Sequence, residues 1–278
     1  MTLKKPVLLA CLLASLVVLE GKANESNIEA GKFKVNDYAL SYTCAGEGEP
    51  NVFLEAPSGI SAEDAFASVF LAVAKRTRVC RYERLGFGGS DNVPDGLNQT
   101  VADYSGELKR FIELQASSGK VVLVGYSFGG FIARHFTANN PEKVSGILLI
   151  DAAHESWLQD MKETMSDDDW AKMQGILDWF HDNLGHNYWD SQFEVAETML
   201  PDQLEVRIIS RGLPHETIRQ AGVSEAGIKI YNDLHDKYQT AQLTLTDKTS
   251  QVIARNSGHL IVDSEPEIVL TELFELID

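Results

Sequence analysis

The sequence predicts an α/β fold: a mostly parallel eight-stranded sheet with helices on both faces and a helical lid inserted near its middle. Three observations carry this. Short β-type runs alternate with longer helical ones along the chain. The most apolar runs, VVLVG at 121–125 and GILLID at 146–151, are continuous instead of alternating, as expected of strands covered on both sides. No repeat or low-complexity tract interrupts the 278 residues, and 44% hydrophobic residues are enough for one large core.

The first 23 residues stand apart. Lys4 and Lys5 precede the apolar run Val7 to Leu19, and Gly21-Lys22-Ala23 offers the small residues of a cleavage site. This three-part form reads as a secretory signal cut after Ala23, so the protein is expected to be exported, periplasmic or secreted. Thirteen apolar residues fall short of the roughly 20 that a spanning helix needs, so no membrane anchor is expected after cleavage. Leu8-Leu9-Ala10-Cys11 has the outline of a lipoprotein box, but the apolar stretch runs on for eight residues past Cys11. Cleavage would take away three lysines and one glutamate, moving the formal charge from −17 to about −19. Such acidity argues against nucleic acid and anionic membrane surfaces as partners. It also disfavours highly anionic substrates.

Candidate strands follow in order: Phe33–Val35, Tyr38–Cys44, Val52–Glu55, Arg78–Tyr82, Val121–Gly125, Gly146–Asp151, Val206–Ser210 and Gln251–Arg255. Between them the pattern predicts helices over Ala62–Ala74, Val101–Ala116, Gly129–Asn139, Glu225–Leu243 and Glu267–Ile277. Thr100 with Asp103, and Ser264 before Pro266-Glu267, supply helix-start signals. Residues 155–201 hold no good strand and read as helical throughout. All four tryptophans (Trp157, Trp170, Trp179, Trp189) and four of the five methionines (Met161, Met165, Met173, Met199) lie there. The segment is expected to be a lid over the strand ends, with residues 24–154 and 202–278 as the core. A small helical lid needs bulky residues for its own packing. Yet this concentration exceeds that need, and Trp157, Trp179, Trp189 and Met161, with Tyr126 from the core, are expected to line an apolar pocket.

The chemistry is expected at Gly125-Tyr126-Ser127-Phe128-Gly129, a G-x-S-x-G sequence between a buried strand and a helix. A direct strand-to-helix turn forces its central residue into a strained, positive-φ backbone, and glycines two positions either side relieve the collision. The result is a hydroxyl held proud of the sheet at the positive end of a helix. A mere tight turn could share the spelling, but not the strand before it and the amphipathic helix after it.

Serine needs a base. Among seven histidines His259 stands out, since Asn256-Ser257-Gly258-His259 directly follows the last strand. His135 falls inside the helix after Ser127. His154 lies near the same edge, whereas His181, His186, His215 and His235 sit in lid or excursion segments and are expected to be solvated. The base needs an orienting carboxylate. Asp151 ends the strand GILLID and is preferred, although an Asp there could simply cap the next helix. Glu216, in the loop after EVRIISRG, is the alternative acid. Oxyanion donors are expected from the amides of Phe128 and of Ser58, because Pro57 in Ala56-Pro57-Ser58-Gly59 has no N–H.

With these residues in place the sequence resembles the α/β-hydrolase fold superfamily of the serine esterase, lipase and lactonase type. The resemblance covers essentially the chain after the leader. It rests on GYSFGG at the elbow, on RVCRYERLGFGGSD (78–91), similar to the family's Y-D-R-x-G-x-G-x-S, and on NSGHLI before Pro266. The chain departs by Ala56-Pro57 in place of an H-G pair and by Glu83 in place of Asp. Family members place the acid either after the strand following the lid or after the strand preceding it, and Asp151 matches the second arrangement. Dehalogenases and epoxide hydrolases of this fold use an Asp nucleophile, which Ser127 argues against. The resemblance also implies that strands 38–44 and 78–82 are neighbours, so that Cys44 and Cys80 could form a disulfide on export.

What the resemblance implies is an exported serine hydrolase cleaving a carboxylic ester or lactone through an acyl-enzyme on Ser127, with activity rising with pH as the imidazole loses its proton. No cofactor and no metal are expected, as no ligand-spaced His/Cys cluster is present. An amidase or peptidase using the same triad is the alternative within enzymes, and the acidic run Asp167-Asp168-Asp169 could attract an amine, although such runs are more often solvated helix starts. A non-catalytic ligand-binding homologue is the alternative outside them.

Overall fold

The computed structural model describes residues 27–116 and 119–278; the expected leader, 1–23, lies outside them. Among the described residues are eight strands: β1 (Ile28–Val35), β2 (Tyr38–Ala45), β3 (Val52–Glu55), β4 (Val79–Tyr82), β5 (Val121–Tyr126), β6 (Val144–Ile150), β7 (Glu205–Arg211) and β8 (Lys248–Ala254). They form one sheet in the order β1-β2-β4-β3-β5-β6-β7-β8. Only the β1–β2 and β2–β4 pairings are antiparallel. The helices are α1 (Ala62–Ala65), α2 (Ala67–Ala74), α3 (Val101–Gln115), α4 (Gly129–Asn139), α5 (Trp157–Thr164), α6 (Asp167–Leu184), α7 (Tyr188–Ala196), α8 (Glu225–Ala241), α9 (Ile261–Ser264) and α10 (Pro266–Ile277).

Alternate residues of the central strands feed two cores. Val121 and Leu123 of β5 and Ile147 and Leu149 of β6 join Phe111, Phe131 and Phe136 of α3 and α4 on one face. Val122, Val124, Leu148 and Ile150 meet Val69, Phe70, Val269 and Leu273 of α2 and α10 on the other. Burial of both faces is why these strands carry no polar alternation. A third apolar cluster, built from α5, α6, α8 and the turn Thr217–Ala221, lies beyond the sheet.

Two local features differ from the sequence expectation. β1 starts at Ile28, five residues early, because Ile28–Lys32 ladder against Ser41–Ala45 despite their weak apolar pattern. The expected helix 62–74 divides at Phe66, whose backbone leaves the helical region at φ −122° while its ring is fully buried 6.3 Å from that of Tyr126. Glu83 has a clear local role: its two carboxylate oxygens accept the amides of Ala62 and Glu63, each at 2.8 Å, and so cap α1.

Antiparallel pairing of β2 with β4 sets Cys44 opposite Cys80, and the two are disulfide-bonded with Cα atoms 4.1 Å apart. The bridge closes a span of 36 residues, for which the chain-entropy account gives about 4 kcal/mol. A Cys44→Ser/Cys80→Ser double variant should therefore unfold at clearly lower urea; an unchanged midpoint would show that the bridge carries no stability.

Candidate active site

At the end of β5 the chain turns into α4 through Ser127 and Phe128. Ser127 has φ +54°, a left-handed backbone that a serine adopts only when its surroundings impose it. Those surroundings are close. A Cβ on Gly125 would stand 2.7 Å from the carbonyl oxygen of Gly129, and one on Gly129 would stand 2.3 Å from that of Glu55. The Ser127 amide donates to the Ile150 carbonyl at 2.9 Å, and its own carbonyl accepts from Gly130 and Ala153 at 3.0 and 3.1 Å. Main-chain bonds thus fix the residue and leave its hydroxyl free to face the cavity described below.

His259 follows β8, and its Nδ1 lies 2.6 Å from Asp151 Oδ2. That contact leaves Nε2 as the ring nitrogen available for proton transfer. The Tyr126 hydroxyl donates to the His259 carbonyl at 2.5 Å and anchors the loop from below. Asp151 directly follows β6 and is itself in the left-handed region, at φ +42°. Its carboxylate is fully buried and meets four donors: His259 Nδ1 and Arg211 Nη1 (2.9 Å) on Oδ2, His235 Nε2 (2.6 Å) and the Arg211 amide (3.1 Å) on Oδ1. Burial alone would push the carboxyl up; the bonds from His235 and His259 and the Arg211 charge outweigh it and hold it well below the usual range. Of the two candidate acids, then, Asp151 is the one bonded to His259. Glu216 is exposed and paired with Arg219 at 2.8 Å.

The loop after β3 carries Ser58 and is gripped by the buried Arg84, which donates to the carbonyls of Ala56 (2.6 Å) and Pro57 (3.2 Å) and pairs with Glu55 (3.3 Å). Ser58 is held from its side chain too. Its hydroxyl accepts from Tyr188 at 2.6 Å and lies 3.0 Å from His186 Nδ1. Burial, then the Arg84 charge, pushes His186 well below the usual imidazole range, so the ring beside the Ser58 hydroxyl is neutral. Among the described turn and loop bonds, neither the Ser58 nor the Phe128 amide donates to a protein acceptor.

Ser58, Ser127 and His259 share the wall of one cavity of about 430 Å³. The rest of the wall is mostly apolar, including Phe131, Trp157, Met161, Met173, Leu177 and Phe180, and no Asp, Glu, Lys or Arg lines it among the described residues. His154 and His215 add polar edges. Burial is the main cause that pushes them down, to about 4 and about 3, so both are uncharged at neutral pH.

Placement of the expected pocket residues is mixed. Trp157 and Met161, one turn apart on α5, line the cavity. Trp179 does not: it is 54% exposed on the outer side of α6. Trp189 packs edge-on against Trp170 (6.0 Å) outside the cavity wall. Tyr126 is buried beneath His259 and serves as a support. The expectation of solvated histidines also needs correcting. His181 is exposed, but His186 and His235 are buried against Ser58 and Asp151, and the His215 ring stands 5.1 Å from that of His259. His235 carried one signal: it falls in the inward stripe of α8 with Ile228, Tyr231 and Tyr238. Residues outside 155–201 share the wall as well, with Thr217, Ile218, Gln220 and Tyr231 among them.

A family model described as the alpha/beta hydrolase fold matches residues 57–216. The chain belongs to the α/β-hydrolase fold family. Solved structures agree with this in fold. A bacterial membrane phospholipase A superposes with a TM-score of 0.57 at 17% identity, covering 90% of this chain and 85% of that one. Epoxide hydrolase VrEH1 from Vigna radiata does so at 0.62 and 16% identity, covering 92% and 98%. Among curated sequences, a 1-acylglycerol-3-phosphate O-acyltransferase of Arabidopsis thaliana is 30% identical over 153 residues, 54% of this chain and 34% of its own length. The chain thus spans about a third of that relative.

Proposed function

We propose that the protein is an exported serine hydrolase that cleaves a neutral carboxylic ester or lactone with a bulky apolar part. The observation that carries this is one uncharged cavity whose wall holds Ser127 on a strained turn together with His259, itself tied to the buried Asp151. Ser127 Oγ attacks the carbonyl carbon while His259 Nε2 takes its proton. The amides of Phe128 and Ser58 receive the developing oxyanion. His259 then protonates the leaving alcohol, and water, deprotonated by the same ring, releases the acid and restores Ser127. A serine at the elbow favours acyl transfer over epoxide opening. The Cys44–Cys80 bond supports an oxidising compartment.

The acyltransferase activity named for the Arabidopsis relative would use the same acyl-enzyme with an alcohol in place of water. A phosphate-bearing acceptor is disfavoured here, because the cavity wall offers no cation to pair with it. A panel of matched substrates decides: neutral apolar esters and lactones should turn over at least about tenfold faster than phosphate-bearing esters or the corresponding amides. Equal or faster amide cleavage would assign the alternative, an amidase or peptidase. No turnover together with no labelling by a fluorophosphonate would leave only a ligand-binding protein.

A further inference from the structure

We propose that His235 is a positioning residue for the carboxylate that orients His259: it holds the oxygen of Asp151 that the base does not use, locks the group together with Arg211 and shares its charge. This rests on the serine-hydrolase reading above and adds to it a residue 84 positions away from the acid in sequence.

A carboxylate has about four acceptor sites, and a lone Asp holding an imidazole by one oxygen could still rotate about its own bond. Asp151 has no such freedom. His235 Nε2 and the Arg211 amide occupy Oδ1, while His259 Nδ1 and Arg211 Nη1 occupy Oδ2. His235 is itself held. It is 3% exposed on α8, its Nδ1 lies 3.1 Å from Asp236 Oδ1, and its ring stands 6.2 Å from that of Trp157 in the cavity wall. Three further contacts tie α8 to the residue after the acid and to β7. Gln239 donates to the Ala152 carbonyl at 2.7 Å, Ser210 donates to Gln239 Oε1 at 2.7 Å, and Arg211 Nη2 donates to Asn232 Oδ1 at 3.0 Å. Helix α8 therefore fixes both the torsion of Asp151 and the approach of His235.

The charge consequence has a definite sign. Each donor on Asp151 takes up part of the negative charge that would otherwise stabilise protonated His259. Without the His235 donor more of that charge falls to His259, which then holds its proton to higher pH. The other charged or titratable groups facing this cluster are Arg211, His215, Tyr126, Tyr231 and Asp236. His215, pushed down to about 3 mainly by burial, stays neutral through the relevant range. Burial raises both tyrosines, which stay neutral as well. A shift in the acid limb therefore reports on His259 and its partners.

The test is the pH dependence of Ser127 labelling by an alkyl fluorophosphonate, which needs no knowledge of the natural substrate. The Oγ–P bond forms, fluoride leaves from phosphorus and His259 takes the serine proton. His235→Leu, which removes the donor, should label about 10- to 100-fold more slowly, with its acid limb moved up by about half a pH unit or more. His235→Gln keeps an N–H donor toward Asp151 and should stay within about fivefold of the parent with the limb in place. If the leucine variant does not fold, His235→Phe, ring-shaped and donorless, takes its place. A folded donorless variant that labels at the parental rate with the parental limb overturns the proposal. So does a folded glutamine variant as slow as the donorless one. A parent protein that does not label at Ser127 instead overturns the hydrolase reading itself.

Discussion

Ser127→Ala is expected to lose at least about a thousandfold in turnover while remaining folded. The fold should hold because everything that fixes residue 127 is main chain: its amide bond to Ile150 and its carbonyl bonds from Gly130 and Ala153. Alanine at φ +54° is no more strained than serine, and the removed hydroxyl faces the cavity, so no buried partner loses its hydrogen bond. Thermal melting should therefore be nearly unchanged. What disappears is the atom that would bond to the acyl group. An alanine variant that retained ester turnover would remove Ser127 from the mechanism.

Asp151→Asn should be damaging twice over. Turnover is expected to fall by roughly a thousandfold, because an amide can present its N–H₂ to His259 and turn the imidazole to the wrong tautomer. Stability should fall as well, by about 3–5 kcal/mol, because Arg211 is 3% exposed at its side chain and would lose its only carboxylate partner among the described ion pairs. The pH dependence has a fixed sign. The folded carboxyl is held below its unfolded value, so its stabilisation is fully present above roughly pH 4 and is lost as pH falls from there through the folded value. Urea midpoints of parent and variant should thus differ most near neutrality and converge in acid. A gap that persisted unchanged at low pH would mean that the buried charge of Asp151 is not what the substitution removes.

The sequence was legible where local pattern and tertiary role coincide. The central strands could be placed because burial on both faces gives short, continuous apolar runs such as VVLVG; β1 and β8, largely exposed, carry a weaker signal. Ser127 and Asp151 could be singled out because each directly follows a strand, and His259 because it lies in the short loop after β8, at the same edge of the sheet. Phase was harder to read than composition. Counting tryptophans located the helical segment correctly but put Trp179 in the pocket, whereas the spacing Met173, Ile176, Leu177, Phe180 already marks the inward stripe of α6 and leaves residue 179 outside it. His235, Arg211 and His186 act through partners 84, 60 and 128 residues away, and nothing local announces such a pairing. Arg84 gives the same lesson, since its hold on Ala56 and Pro57 depends on where β3 and β4 lie in the sheet.

Only three described non-glycine residues have a left-handed backbone, and two of them are Ser127 and Asp151. Each such residue costs on the order of 1–3 kcal/mol, a noticeable part of the roughly 5–15 kcal/mol that keeps a domain folded. At residue 127, which main-chain bonds alone hold in place, glycine would relieve that cost and leave an inert molecule. At that turn the protein is less durable than its own architecture permits, and what it gives up there keeps a hydroxyl on the cavity wall.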